Sequence, residues 1–444
     1  MSFLEELQWR GLLHQTAGAG VEHHLQTPRV GYCGFDPTKA SLTIGNFIAI
    51  KLLMHWQRAG HTPIVLMGGG TGLIGDPSGK DAERQLLSRE EVAANIAGQR
   101  RIFETLLDFS PSLSNRAIIV NNDDWLGRLG YIDVLRDIGK YFSVNAMIQK
   151  DSVRDRLHNR EQGISYTEFS YMILQAYDFL HLYRHHGCTV QIAGSDQYGN
   201  ITGGMDLIRR LAGEVTFEGE GGGEKLSCDG ITNRAFGITN PLVTRSDGQK
   251  IGKTADGAIW LTADRTSPYR FYQYWINVED VDVERFLRWF TFLDPQALAA
   301  VMEEQRAAPH LRPAQRTLAG HITQLLHGEG ATAAVEQASQ VLFGKGELRS
   351  LSPELLQDVF ADVPHSEHPK DQLSGEGLAL VDLLPATSLA ESKRQAREFL
   401  ANGAVAVNGE RVEADTRLQA EQLLHGSWIL LRRGKRHWHA TRWR

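Results

Sequence analysis

The sequence predicts an α/β protein built on a parallel sheet, continued by an all-helical segment and closed by a small α+β module. Three observations carry this reading. Short apolar runs at residues 30–35, 63–67, 117–120 and 189–193 alternate with stretches of helical periodicity over the first half of the 444 residues. Such alternation builds a parallel sheet, which takes its ligands at the carboxyl ends of its strands. From Thr262 the apolar residues recur at helical spacing without strand-like runs. Near the C-terminus, a helical pattern leads to the hairpin dipeptide Asn408-Gly409.

In chain order, residues 30–35 end in a turn and residues 47–56 have helical periodicity. Residues 63–67 close on three glycines. Ser88 with Glu91 makes a capping box, and Val92, Ile96, Phe103 and Leu107 mark one face of the helix it opens. A helix over 168–185 carries the apolar stripe Phe169, Ile173, Ala176 and Leu180. Residues 213–234, with Gly-Glu-Gly-Gly-Gly-Glu, have no periodicity and read as a flexible surface insertion. Ser267-Pro268 and Asp294-Pro295 are helix starts, a cap followed by proline. Val283, Phe286, Leu287 and Phe290, then Leu318, Ile322 and Leu325, continue the helical pattern to about residue 343. Residues 344–375, rich in Gly, Pro, Ser and acid, read as a linker. Residues 392–400 form a helix stopped near Gly403, and 404–407 and 428–431 are strands.

Composition bounds the rest. At 42% hydrophobic and 23% charged, the chain is ordinary globular material, long enough for two to four domains. A net charge of −6 leaves any nucleic-acid partner to local basic patches. Cys33, Cys188 and Cys228 fit no disulfide framework or zinc ribbon, which suits a reducing compartment. The acidic, amphipathic start does not look like a secretory signal, and no run matches a membrane helix, so the cytoplasm is expected.

Several segments carry candidate chemistry, each with a plain structural alternative. Residues 33–38, Cys-Gly-Phe-Asp-Pro-Thr, and 43–46, Thr-Ile-Gly-Asn, make a strand, a proline turn and a helix start. Unpaired amides there bind anions, and Gly45 admits a flat base or a phosphate. Thr38, Thr43 and Asn46 add donors; the alternative is ordinary capping. Gly70-Thr71-Gly72-Leu73-Ile74-Gly75 has the spacing of a dinucleotide fingerprint, but Asp76-Pro77 follows where a helix must continue. A P-loop fails too, because Ile74 stands where its first glycine belongs and Asp81 follows Lys80. What remains presents Thr71 and Asp76 at a strand end, with Lys80 and Arg84 beyond for phosphates.

Tyr171, Gln175 and Asp178, at i, i+4 and i+7, set a phenol, an amide and a carboxylate on one helix face. Such a stripe is more often a solvated face, but Gly194-Ser195-Asp196-Gln197 follows at the next strand end. Lys250-Ile251-Gly252-Lys253-Thr254 is either a cation pair that closes on a pyrophosphate or an exposed basic loop. His185, His186 and Cys188 lack a second ligand pair, so no metal is expected, and Tyr269, Phe271, Tyr272, Tyr274 and Trp275 read as helical core. Lys393, Arg394 and Arg397 share a helix face, and Arg432, Arg433, Lys435 and Arg436 surround Gly434. Together they make a phosphate-backbone reader or a solvated basic surface.

Taken in order, residues 32–38, 71–78, Phe169-Ser170-Tyr171, 194–197, 250–254 and 392–397 resemble the bacterial tyrosyl-tRNA synthetases, class I aminoacyl-tRNA synthetases, over nearly the whole chain. The resemblance implies a Rossmann-like catalytic domain over 1–262, a helical anticodon-binding domain over 263–343 and an RNA-binding module over 376–444, in a homodimer. It implies that L-tyrosine and ATP, as its Mg2+ complex, give tyrosyl-adenylate and pyrophosphate, and that tyrosine then passes to the terminal adenosine of its tRNA.

Carried over, Tyr32 and Asp178 bind the substrate phenol and leave phenylalanine or tryptophan without a matching hydroxyl. Tyr171, Gln175 and Asp76 hold its ammonium, with Thr71, Asn122, Gln191 and Gln197 lining the pocket. Cys33, Gly34, Asp36, Gly45, Gly194, Asp196 and Lys253 face the nucleotide. Thr38, Thr43, Asn46, Lys80, Arg84, Lys250, Lys253 and Thr254 stabilise the departing pyrophosphate. The attacking group is the substrate's own carboxylate. Three features depart from the family. Thr43-Ile44-Gly45-Asn46 replaces His-Ile-Gly-His, Tyr198 stands at a tryptophan position, and the insertion before Arg234 is unusual. The first of these keeps open a synthetase-like RNA-binding or regulatory paralogue with weakened ATP chemistry.

Overall fold

The structure is a computed structural model that describes residues 1–76, 86–150, 153–154, 164–211, 235–249, 251–254, 257–342, 348–361, 363–434 and 437–444, with backbone only at 253, 254 and 342. The insertion expected at 213–234 lies outside these residues. Met1–Arg265 with Val278–Leu318 forms one compact unit, and Thr266–Asn277 with Ala319–Arg444 a second.

In the first unit the four apolar runs and two further strands form a six-stranded sheet. Its strands are β1 (Gln15–Ala17), β2 (Val30–Phe35), β3 (Thr62–Met67), β4 (Ile118–Asn121), β5 (Cys188–Gly194) and β6 (Phe236–Asn240), in the order β1-β6-β5-β2-β3-β4. The strands β2 to β6 run parallel, and β1, too short for its pattern to be read, adds an antiparallel edge on β6. The chain moves outward from β2 through β3 to β4, then returns to the other side of β2 for β5 and β6. The switch point therefore lies between β2 and β5, where Tyr32 and Gln191 are register partners. Ligands of open parallel sheets bind at that crevice.

Helices cover both faces: α1 (Ile44–Arg58), α2 (Arg89–Leu106), α3 (Tyr166–His186) and α4 (Tyr198–Leu211). A Cβ on Gly31 would sit 2.7 Å from Trp56, so α1 covers the face to which Gly31, Cys33 and Phe35 point. The Tyr32 ring lies 5.3 Å from Phe179, so α3 covers the opposite face. Ser88 and Glu91 close the expected capping box on α2, with Val92, Phe103 and Leu107 buried. Asp294 caps Pro295–Ala307 and Ser267, in the second unit, caps Pro268–Ile276, each with proline at the start. Val283, Phe286, Leu287 and Phe290 are all buried on Asp280–Phe290, whose Phe290 stacks on Phe47 of α1 at 5.8 Å. A short hairpin of β7 (Lys253–Thr254) and β8 (Gly257–Ala258) completes this unit.

The second unit includes Pro268–Ile276, where Phe271, Tyr272 and Trp275 are core as expected. The strands β9 (His365–His368), β10 (Leu378–Ala379), β11 (Val405–Val407), β12 (Glu410–Arg411), β13 (Arg417–Leu418), β14 (Trp428–Arg433) and β15 (His437–Trp443) form a five-stranded sheet, β12-β11-β14-β15-β9, and a separate β10–β13 pair. The helix α5 (Lys393–Ala401) is capped by Ser392. Asn408 and Gly409 both have positive φ, 49° and 91°, as a tight hairpin between twisted strands requires. The stretch expected as linker is instead structured. Pro353–Val359 is a helix, β9 pairs with β15, and Leu348, Leu351, Leu356 and Phe360 join a core cluster with Leu430 and Ala440. Glycines, prolines and acids between these leucines had masked an apolar pattern strong enough to bury.

Candidate active site at the sheet switch point

A cavity of about 570 Å³ opens at the carboxyl ends of β2, β3, β5 and β6, within the size range of small-molecule sites. All nine residues expected around a phenol-bearing amino acid line it: Tyr32, Thr71, Asp76, Asn122, Tyr171, Gln175, Asp178, Gln191 and Gln197. Cys33, Gly34, Asp36, Gly45, Gly194 and Asp196, expected on the nucleotide side, also line it, as do Thr38, Thr43 and Asn46. Lys80, Arg84 and Lys250 lie outside the described residues, and Lys253 and Thr254 are described only as the backbone of β7.

The end expected to take a phenol is built on α3. Its stripe of Tyr171, Gln175 and Asp178 turns inward: Tyr171 and Asp178 are buried. The Asp178 carboxylate accepts from Asn122 Nδ2 at 2.9 Å and from Trp125 Nε1 at 2.8 Å. Burial raises this carboxyl to about 7, against the pull of those two donors. Among the described residues, the buried Tyr32 hydroxyl and the Gln191 amide oxygen have no hydrogen-bond partner. Burial and the neighbouring carboxylates hold the Tyr32 and Tyr171 phenols well above their usual range, so both stay neutral donors.

A polar chain joins this end to the nucleotide side. Asn122 Nδ2 also donates to Thr71 Oγ1 at 3.0 Å, and Thr71 Oγ1 donates to Asp36 Oδ1 at 2.9 Å. Tyr171 Oη donates to Asp36 Oδ2 at 3.0 Å. Asp36, expected with the nucleotide alone, is thus hydrogen-bonded to two residues of the set expected around the amino acid. The close approach depends on Gly68, where a Cβ would fall 2.3 Å from Asp36 Oδ1. Gln197 donates to Asp76 at 2.8 Å, while Asn200 Nδ2 donates to both Gln175 and Gln197, at 2.9 and 3.1 Å. After β3, Thr71–Leu73 is a single 3-10 turn and not the start of a long helix, which is why the dinucleotide reading fails.

The side expected to face the nucleotide is built on the start of α1. Thr43 N–H and Oγ1 both donate to Asn46 Oδ1, at 3.1 and 3.0 Å. The Asn46 oxygen thus closes the first turn on the N-cap Thr43, which leaves its amide nitrogen out of that pairing. A Cβ on Gly45 would meet only Thr43 Oγ1, at 3.6 Å, so the protein itself does not require glycine there. Burial lifts the Cys33 thiol to about 12, so it is a neutral lining group. The segment leading to residue 250 is fastened at Ser246, whose N–H and hydroxyl donate to the buried Asp282 carboxylate at 3.1 Å. Ile44 N–H donates to Ile259 O at 3.2 Å, tying the far side of the hairpin to α1.

Sequence reasoning missed Trp125, Asn200 and Asn240. Trp125 and Asn200 each sit within a helical turn of a residue that it did find, Asn122 and Gln197, whereas Asn240 ends β6, a strand it did not read; which way an indole N–H or an amide points is not a sequence signal.

In the second unit, Lys393, Arg394 and Arg397 are exposed on α5, with Lys393 paired to Asp382 at 2.6 Å. Arg432 and Arg433 alternate across β14 and do not form one cluster. Arg433 donates to Leu389 O at 2.7 Å and lies over Phe399, while Arg432 lies over Trp438. Lys435 and Arg436 are outside the described residues.

Residues 25–344 match the family model of class I tRNA synthetases (W and Y), and residues 355–441 match that of the tyrosine–tRNA ligase SYY-like C-terminal domain. The chain is 48% identical to a tyrosine–tRNA ligase of Bacillus caldotenax, covering 100% of both chains. It is 46% identical to one of Roseiflexus castenholzii, covering 99% of both. Among solved structures it resembles a C-terminally truncated mitochondrial tyrosyl-tRNA synthetase of Aspergillus nidulans, with TM-score 0.66 and 32% identity, over 77% of this chain and 94% of that one.

Proposed function

Because the chain belongs to the class I tRNA synthetases, and within them to the tyrosine–tRNA ligases, we propose that the cavity holds tyrosine on its α3 side and ATP on its α1 side. The enzyme is an aminoacyl-tRNA ligase: it activates tyrosine with ATP, releases pyrophosphate, and transfers tyrosine to the terminal adenosine of tRNA. A match over the whole length to tyrosine–tRNA ligases leaves a regulatory paralogue without support.

The observation that carries the site assignment is the buried Asp178 carboxylate across from the unpartnered Tyr32 hydroxyl. A phenol O–H donates to the first and accepts from the second; a phenyl ring would leave the Tyr32 hydroxyl unpaired, at about 1 to 3 kcal/mol, and would withhold from Asp178 the donor that joins Asn122 and Trp125. Tyr171, Gln175 and Asp76, braced by Asn200 and Gln197, then receive the ammonium. The substrate carboxylate is left at the mouth as the nucleophile for the α-phosphate. No protein nucleophile takes part, and catalysis is positioning plus stabilisation of charge growing on the pyrophosphate. Thr38, Thr43 and Asn46 supply donors for that charge from the start of α1, with Lys80, Arg84, Lys250, Lys253 and Thr254 completing the set. ATP enters as its Mg2+ complex.

Two coarser assignments follow on separate grounds. Tyr131, Ile132, Val144 and Tyr166 are large apolar side chains left exposed on the first unit, and a second copy of the chain covers them in a homodimer. Among the described residues no helix is long and apolar enough to cross a membrane, and Cys33 and Cys188 are free thiols. Both facts accord with work in the cytoplasm. The RNA-binding role of residues 376–444 rests on the basic face of α5. Tyrosine-dependent exchange of labelled pyrophosphate into ATP tests the enzyme reading, and no exchange above background would refute it. Sedimentation of the wild type and of Ile132→Asp tests the dimer.

A further inference from the structure

From the amide of Asn240 we infer that this chain reads the 6-amino group of the purine through a side chain. The inference rests on the tyrosine and ATP assignment above. Asn240 ends β6, is 4% exposed and lines the same cavity. Its Nδ2 donates to Pro241 O at 2.8 Å, which fixes the oxygen as the free end of the amide, and among the described residues that buried oxygen has no hydrogen-bond partner. A buried acceptor left unpaired costs stability, so its presence in a ligand cavity points to a donor on the ligand.

The face of the sheet identifies the ligand. On β6, Gly237 faces α4, since a Cβ there would meet Ile201 at 2.4 Å. Strand alternation sends Asn240 to the other face, that of α1, and parallel pairing sets it beside Gly194. The tyrosine groups Tyr32, Gln191 and Asp178 belong to the α3 face, so the ammonium and phenol of tyrosine are on the wrong side to reach it. Two donors on ATP remain: the ribose hydroxyls and the adenine amino group. The Asp196 carboxylate, beyond Gly194, already offers the diol its acceptor. The wall that follows Asn240 is apolar, Pro241, Leu242 and Val243, with Ile48 of α1 also lining the cavity, and suits a flat base. A base against that wall brings its exocyclic amino group to the amide oxygen. Guanine would present a carbonyl oxygen at the same point.

Purine riboside 5′-triphosphate, which lacks only the amino group, tests this without altering the protein. In tyrosine-dependent pyrophosphate exchange, wild type should show a KM for ATP about tenfold below that for the analogue, the effect of one buried hydrogen bond. In Asn240→Leu, similar in volume and without an acceptor, that gap should close, with the KM for tyrosine unchanged. A gap that persists in Asn240→Leu, or no gap in wild type, overturns the inference while exchange with ATP itself still upholds the enzyme. Loss of exchange in wild type with ATP would refute the underlying assignment instead.

Discussion

The indole N–H of Trp125 donates to the Asp178 carboxylate at 2.8 Å, on the oxygen not taken by Asn122. Both donors favour the ionised carboxylate, yet burial outweighs them and raises the group from 3.8 to about 7. A carboxyl raised on folding contributes stability that is complete below its unfolded value and is lost as the pH climbs through the folded one. Without ligand, the chain should therefore lose up to about 4 kcal/mol from this group between about pH 4 and pH 7. Asp178→Asn should remove that slope in chemical unfolding followed against pH. In the proposed site tyrosine donates its phenol to the ionised form, so binding should release a proton near pH 7. Calorimetry in buffers of different ionisation enthalpy detects that proton, and wild-type binding without it would contradict the assignment.

Tyr32→Phe should separate selectivity from stability. It deletes a buried hydroxyl that has no partner among the described residues. Thermal unfolding of the free variant should be unchanged or up to about 1 kcal/mol more favourable to the native state. Tyrosine then loses one hydrogen bond that phenylalanine never made. The KM for tyrosine should rise about tenfold while activation of phenylalanine hardly changes, so discrimination narrows by that factor.

Much of this site was legible because its residues hang on regular elements. The i, i+4, i+7 spacing of Tyr171, Gln175 and Asp178 needed only a helix, and Gly194 to Gln197 needed only a strand end. Whether that helix face met solvent or a cavity was not legible, since the sheet and the turn at Asn122 decide it from far along the chain. Asp36 shows the same limit: its place between Thr71 and Tyr171 depends on Gly68, a contact across two strands. In the second unit the leucines between 348 and 356 were hidden by their polar neighbours, because burial there comes from a parallel pairing of β9 with β15 that no local pattern encodes.

At the start of α1, the oxygen and nitrogen of the Asn46 amide do different work, and substitution can part them. Thr43 N–H and Oγ1 both bond the oxygen. Asn46→Asp keeps an acceptor for Thr43, but replaces the proposed donor to phosphate with a negative charge. Asn46→Ala loses both, including about 1 kcal/mol of capping. Melting temperature should fall in Asn46→Ala and hold in Asn46→Asp. The kcat for exchange should fall more in Asn46→Asp, and the KM for tyrosine should stay put in both. Equal kcat values in the two variants would show that the amide nitrogen faces no phosphate. Thr43→His, by restoring reach and charge, should raise kcat.

The arginines of the second unit divide by what already holds them. Arg394 and Arg397 are exposed on α5, whereas Arg433 is fastened to Leu389 O and packed over Phe399. Each phosphate contact releases counterions, so the salt dependence of binding counts contacts while affinity alone does not. Replacing Arg394 and Arg397 together by alanine should lower the slope of log K against log salt for tRNA by about 1 to 2, with melting unchanged. Arg433→Ala should leave that slope alone and lower the melting temperature, because it uncaps a buried carbonyl and strips a ring of its cover. Lys393, held by Asp382 at 2.6 Å, should contribute less to the slope than either exposed arginine. The reverse pattern, a slope that moves with Arg433 and not with Arg394 or Arg397, would relocate the RNA to the β14 side of this unit.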